Sequence, residues 1–294
     1  MHRPVIVGID GSPEALAAAG WAAREAQRHN VVLRLIHAWT PSPHPSAALP
    51  SPTSQHHWAR RILREAHDHL GALYPYLPVE EYAVEGLAPS VLLEASADGA
   101  LLVIGSRSLG GSTGYLAGPV ALHLTTQCPT PVALVRAGEQ AEDAHQLNAE
   151  GRSATNTPYR DIVLGVDLAH PNDETFAFAF EAARSRGAPL RILHGYRPLP
   201  ATGAGAAVAS AVPAEYEMAL DALVRPWREK YPETVTTATV RPGRAQSLLL
   251  HAASEAGLLV LGRCNRLRPG PYTGPVIQAA MHHSRCPIAV VPHA

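Results

Sequence analysis

Five glycines fall within the sixteen residues GSRSLGGSTGYLAGPV, 105–120. The apolar run ALLVIG leads into this stretch, so a buried strand delivers it. Glycines let backbone N–H groups turn toward an anion, and a helix starting just afterwards adds its positive N-terminal dipole. The chemistry on offer is phosphate binding. Gly105, Gly110, Gly111 and Gly118 supply the backbone, and Arg107 is the nearby cation able to reach a phosphate; Ser108, Pro119 and Val120 belong to the same stretch. A glycine-rich loop after a strand is as readily a plain connection. Asp10 closes VIVGID and is placed to accept from a ribose hydroxyl or an adenine edge; it also suits the DGSP turn as a helix cap. His37 and Ala38 close the next strand, LRLIHAW.

Composition narrows the alternatives. The net charge is −1, so no global field recruits nucleic acid or an anionic membrane. Lys230 is the only lysine, which rules out a Walker-type site in the first half. The pairs His56-His57, His67/His69 and His282-His283 lack companion ligands at metal spacing, and no metal site is expected. Cys128, Cys264 and Cys286 show no CxxC spacing and cannot all pair, which fits a reducing compartment. No run approaches the length of a membrane span and no secretory leader opens the chain, so a cytoplasmic location is expected.

The elements that must position these residues are written twice. RPVIVGID, LRLIHAW and VLLEASADGALLVIG recur as RDIVLGVD, LRILHGY and LLLHAASEAGLLVLG. Arg3, Leu33 and Val91 thereby map onto Arg160, Leu190 and Leu248, a constant offset of 157. After the glycine stretch Gly118 maps onto Gly274, so one residue has been lost inside it. Such repetition means duplicated units. Each copy alternates short apolar runs with helical patterns, and in the first copy the first helix is capped by Ser12 and opened by Pro13. Alternation of this kind predicts α/β domains with parallel sheets covered on both faces. The boundaries read as a first domain over 1–137, a linker over 138–158 and a second domain over 159–294. The linker assignment rests on AGEQAEDAHQLNAEGRSATNTP, which is polar and aperiodic.

VIVGIDGSPEALAAAGWAAREA, LRLIHAW, VIGSRSLGGSTGYLAGPV and the closing TPVALV together resemble the universal stress protein family, and the likeness covers both halves. It implies two tandem open parallel-sheet domains, Rossmann-like and of the adenine nucleotide alpha-hydrolase-like type. It also implies a stress-response protein that binds ATP, with Mg2+ accompanying the nucleotide, and a homodimer is expected. No general base, metal carboxylate pair or nucleophile accompanies the glycines, so catalysis is not expected. The family's phosphate pattern is G-x-x-G, nine residues, then G-S/T. Laid on this chain, the first and third glycines are Gly105 and Gly118, while the second falls on Ser108 and the Ser/Thr on Pro119. In the second half the pattern falls on Gly262 and Asn265 and is interrupted by Pro269, Pro271 and Pro275. The resemblance implies that Asp10 and the Ala38 backbone face the adenosine, with Asp167 and Gly195 as their counterparts. The first domain is therefore expected to bind an adenine nucleotide and the second to be degenerate. The alternative is a nucleotide-free stress-induced protein acting through dimerisation and interaction.

Overall fold

A computed structural model describes residues 3–41, 52–108, 115–116, 118–198, 206–264 and 273–293. The chain forms two compact units, the first reaching Ala141 and the second starting at Glu142.

In the first unit the elements run β1 (Val5–Gly8), α1 (Pro13–His29), β2 (Leu33–Trp39), α2 (Pro52–Leu73), β3 (Val79–Glu85), α3 (Ala88–Ser96), β4 (Leu101–Ser108), β5 (Tyr115–Leu116), α4 (Pro119–Gln127) and β6 (Val132–Arg136). Its sheet has the order β3-β2-β1-β4-β6, and these neighbours pair in parallel. Val5, Ile6, Val7, Leu102 and Val103 are almost wholly buried, as strands covered on both faces must be. The order reverses between β1 and β4, which makes their carboxyl ends the crevice of this architecture.

α1 forms where the sequence signals it. Ser12 caps it in extended conformation and its Oγ accepts from Ala15 N–H at 3.2 Å. The helix ends at Asn30, which adopts the left-handed conformation with φ 51°. Ala18, Ala19, Ala22, Ala23 and Ala26 form its fully buried face, and their small side chains let the helix lie close to the sheet. That closeness reaches its limit at Gly105. A Cβ there would stand 2.6 Å from the carbonyl carbon and oxygen of Glu14.

The second unit repeats the plan with β7 (Ile162–Gly165), α5 (Asp173–Arg186), β8 (Leu190–Tyr196), α6 (Ala206–Lys230), β9 (Thr236–Pro242), α7 (Ala245–Ala253), β10 (Leu258–Cys264), α8 (Gly274–His283) and β11 (Ile288–His293). Its strands follow the order β9-β8-β7-β10-β11, again in parallel.

Two local findings differ from the sequence reading. β4 does not stop at Gly105 but continues to Ser108, where Arg107 and Ser108 pair antiparallel with Leu116 and Tyr115. The aperiodic segment before β7 is also no bare tether. Arg160 N–H donates to Ala144 O at 2.9 Å, the Arg160 Nε–H to His145 O at 2.7 Å, and the His145 and Tyr159 rings lie 4.0 Å apart. Asn148 Oδ1 accepts from the N–H groups of Glu150 and Arg152, closing a turn. Isolated bridges, His145↔Tyr159 and Leu147↔Ser153, and single side-chain-to-backbone bonds hold this strap, and they leave no period in the sequence.

Candidate functional site

The candidate site of the first unit lies at the carboxyl ends of β1, β2 and β4. Asp10 follows β1 and is exposed. Its Oδ1 accepts from Ser12 N–H at 2.9 Å and from the Ser12 hydroxyl, so the residue both shapes the turn into α1 and supports the cap. Its Oδ2 has no partner among the described residues. One carboxylate thus fixes the turn with one oxygen and presents the other.

Ala38 stands beside it on β2. The β1–β2 ladder runs from Val5↔Leu33 to Gly8↔Ile36, and Ile9 N–H adds a bond to Ile36 O at 2.8 Å. Continuing a parallel ladder would bring Ala38 N–H onto the Ile9 carbonyl, and β1 ends before that bond is made. The Ile9 carbonyl accepts instead from His37 Nδ1–H at 2.6 Å. On the far side of β2, Trp39 O accepts from Gly86 N–H at 2.8 Å, and the Trp39 ring packs 5.4 Å from that of His56 on α2. An edge donor at Ala38 and a free carboxylate oxygen at Asp10 are therefore neighbours across two strand ends.

Gly105 is a β4 residue, and its missing side chain is required by the approach of α1 described above. It fixes the distance between the Asp10 turn and β4. Arg107 and Ser108 extend the strand, and of these two only the backbone is described. Gly110 and Gly111 lie outside the described residues. Gly118 is the N-cap of α4 with φ −61°, and its carbonyl accepts from Leu122 N–H at 3.0 Å. Pro119 takes the first helical position, where it brings no N–H. The N–H groups of Val120 and Ala121 remain as the helix-end donors, in the first turn of the positive dipole end.

The second unit repeats the frame and closes it. Asp167 Oδ1 accepts from Ala169 N–H at 3.0 Å, as Asp10 does from Ser12, but Asp167 Oδ2 pairs with His170 Nδ1 at 3.0 Å. His194 Nδ1–H donates to Val166 O at 2.9 Å, the counterpart of the His37 bond. Tyr216 on α6 lies over this end, with its ring 5.2 Å from His194 and 5.4 Å from Tyr196. The same offset of 157 puts Ala59, fully buried, at the Tyr216 position of the first unit. Gly195 faces α7 so closely that a Cβ would meet Ala245 Cα at 3.0 Å. Among the described residues no group of three or more His, Cys, Asp or Glu side chains could hold a metal ion. Among them, too, no helix is long and apolar enough to cross a membrane.

The sequence picked out Asp10 and Ala38 and passed over His37 as an actor. Its signal was present, because LRLIHAW and LRILHGY keep histidine at the same place in both copies.

Two copies of one parallel α/β unit, each with an aspartate turn after its first strand and a histidine at the end of its second, define a tandem duplicated open-sheet protein. The sequence model of the universal stress protein family matches residues 1–136 and 158–292, and the chain belongs to that family. Universal stress protein Rv2005c of Mycobacterium tuberculosis is 26% identical over 295 residues, covering 97% of this chain and 96% of that protein. A crystal structure of a universal stress protein from Archaeoglobus fulgidus superposes with a TM-score of 0.64 at 12% identity, covering 99% of this chain and 98% of that one. A universal stress protein solved in complex with cAMP matches 47% of this chain and 98% of its own, at 27% identity and a TM-score of 0.36.

Proposed function

We propose that the first unit binds an adenine nucleotide, ATP in the first instance, and that the chain acts as a nucleotide-responsive stress protein without turnover of its own. The observation that carries this reading is the juxtaposition, at the β1–β4 crevice, of the Ala38 edge and Asp10 Oδ2, neither of which has a hydrogen-bond partner among the described residues. The Ala38 N–H and carbonyl suit the donor and acceptor edge of adenine, and Asp10 suits a ribose hydroxyl. Phosphates would meet the glycine stretch and the N–H groups of Val120 and Ala121, with Mg2+ carried in by the phosphates. Occupation of the second unit is disfavoured by the engaged Asp167 and the Tyr216 cover. We read the working form as a homodimer in the cytoplasm.

One observation favours the second reading, a nucleotide-free interaction protein. Ser108 is drawn into β4 and Pro119 removes a donor from the α4 end, so two places where the family pattern contacts phosphate are altered. A single experiment separates the readings. The protein is purified without added nucleotide, denatured, and the released small molecules identified by mass. It is then titrated with ATP by calorimetry beside Asp10→Ala. Recovered adenine nucleotide, or binding that Asp10→Ala weakens about tenfold, supports the first reading; an empty protein that does not titrate refutes it.

A further inference from the structure

We infer that His37 is a positioning residue that holds the base-reading edge of β2 open, and that His194 does the same in the second unit. The inference rests on the adenine-binding reading for its ligand but on independent geometry for its device. A carbonyl can only accept, so the 2.6 Å contact of His37 Nδ1 with Ile9 O fixes the proton on Nδ1. The same logic applies to His194 and Val166 O at 2.9 Å. In both units the ladder ends one bond early at this carbonyl, after Ile9 N–H to Ile36 O and after Val166 N–H to Leu193 O. The carbonyl that the next amide of the second strand would have used is occupied by a side chain of that same strand.

The consequence is specific. Without the imidazole, Ala38 N–H would close onto Ile9 O, since backbone donors at the end of a sheet are paired wherever a partner is in reach. With it, the Ile9 carbonyl is satisfied and Ala38 keeps a donor and an acceptor for an incoming planar ligand. The histidine therefore acts on the base through Ala38, while Asp10, one residue past Ile9, stays in register with it. The same bond is present in both units, each formed by the histidine near the end of the second strand. In the second unit the edge is held open too, and the Tyr216 ring packs against the rings of His194 and Tyr196 on either side of it in sequence.

The test uses the full chain without nucleotide, then with adenosine. Nitrogen-15 imidazole spectra of the free protein should place both His37 and His194 in the Nδ1–H form. Ala38 N–H should exchange with solvent at least tenfold faster than the ladder amides of Leu35 and Ile36. In His37→Phe, Ala38 exchange should slow at least tenfold as the ladder closes. Adenosine affinity should fall about tenfold, the loss of one hydrogen bond, and His37→Asn, which keeps a donor, should recover part of it. An Nε2–H tautomer at His37, or a protected Ala38 amide in the unsubstituted chain, overturns the inference, and neither measurement depends on a variant folding. Open edges and Nδ1–H rings in a chain that takes up no adenosine would overturn the base-reading role together with the proposed function. Normal adenosine binding by His37→Phe would overturn the role of His37 alone.

Discussion

Replacing Gly105 by alanine should loosen the whole junction between α1 and β4. The added Cβ would lie 2.6 Å from the carbonyl carbon and oxygen of Glu14 and 2.9 Å from Ala15 N. Those are backbone atoms of the first turn of α1, held by the Ser12 cap, so no rotamer change can relieve the overlap. Either the helix lifts or the strand bends, and overpacking of this kind costs about 1–3 kcal/mol. Gly262 in the second unit is the internal control. A Cβ there would meet Thr175 Oγ1 at 2.9 Å, His293 Nε2 at 3.1 Å and Asn172 Nδ2 at 3.2 Å, side-chain atoms and not backbone. Gly262→Ala should therefore cost less, about 1 kcal/mol at most. Hydrogen exchange of the full chain in low urea reads the two units separately, through the amides of α1 and α5. Because the lifted turn carries Ser12 and Asp10, Gly105→Ala should also weaken ATP binding, whereas Gly262→Ala should leave it unchanged. Equal costs at the two glycines, or a larger cost at Gly262, would refute the reasoning that Gly105 is dictated by helix approach.

Asp10→Ala should reduce ATP affinity of the full chain while Asp167→Ala leaves it within twofold, and calorimetric affinities of separately disabled units should differ by more than a hundredfold, the loss of two or three charge-assisted bonds at roughly 1.5–3 kcal/mol each. The hydrogen bond from Arg34 Nε at 2.8 Å holds Glu80 below its ordinary pKa of 4.5, with Tyr82 adding a second donor. The folded pKa is depressed, so this contribution is present above the ordinary value and lost as acid protonates Glu80. Arg34→Met should flatten the acid limb of the stability curve by no more than an exposed pair's 0–1 kcal/mol or so, read by urea titration from pH 3 to 6. Asn30 has φ 51° and Gly187, its counterpart in the second unit, φ 60°. Asn30→Gly should be neutral or stabilising by under about 1 kcal/mol, while Gly187→Val should cost about 1–2 kcal/mol in thermal unfolding. Thiol labelling of the native protein should reach Cys264 first, and Cys128, which is fully buried and points its Sγ at Ser96 Oγ 3.1 Å away, only on unfolding.

Most of the frame was legible because it depends on local rules. VIVG and LLVI are apolar on both faces, Ser12-Pro13 is a cap followed by a first-turn proline, and the constant offset turned one unit into two. What escaped were features whose partners are distant or singular. Ser106, Arg107 and Ser108 are polar and read as loop, yet they continue β4: Ser106 pairs with Arg136 of β6, and Arg107 and Ser108 pair with Leu116 and Tyr115. The strap before β7 rests on His145, Asn148, Thr157 and Arg160 reaching backbone atoms one at a time. His37 was visible as a repeated residue, but its role needs the Ile9 carbonyl, which only the paired strands bring within reach.

The comparison of the two units also separates what the fold requires from what a ligand would require. Both keep the aspartate turn and a glycine in the fourth parallel strand, because these features serve the chain itself: they set a helix entry and leave room beside the first turn of a helix. None of them alone argues for binding. The features that differ lie a step outward. Asp10 Oδ2 has no partner among the described residues where Asp167 gives its second oxygen to His170, and a buried alanine, Ala59, stands where Tyr216 packs against His194. Neither difference is needed for folding, since both units bury equivalent strands equally well. A ligand held by the first unit alone, as proposed above, would account for both. Opening the second unit by Tyr216→Ala with His170→Ala should therefore raise its adenosine affinity toward that of the first without loss of the strand core. If that double substitution leaves the second unit inert while the first binds, the difference between the units lies in the phosphate loop and not in the base and ribose end.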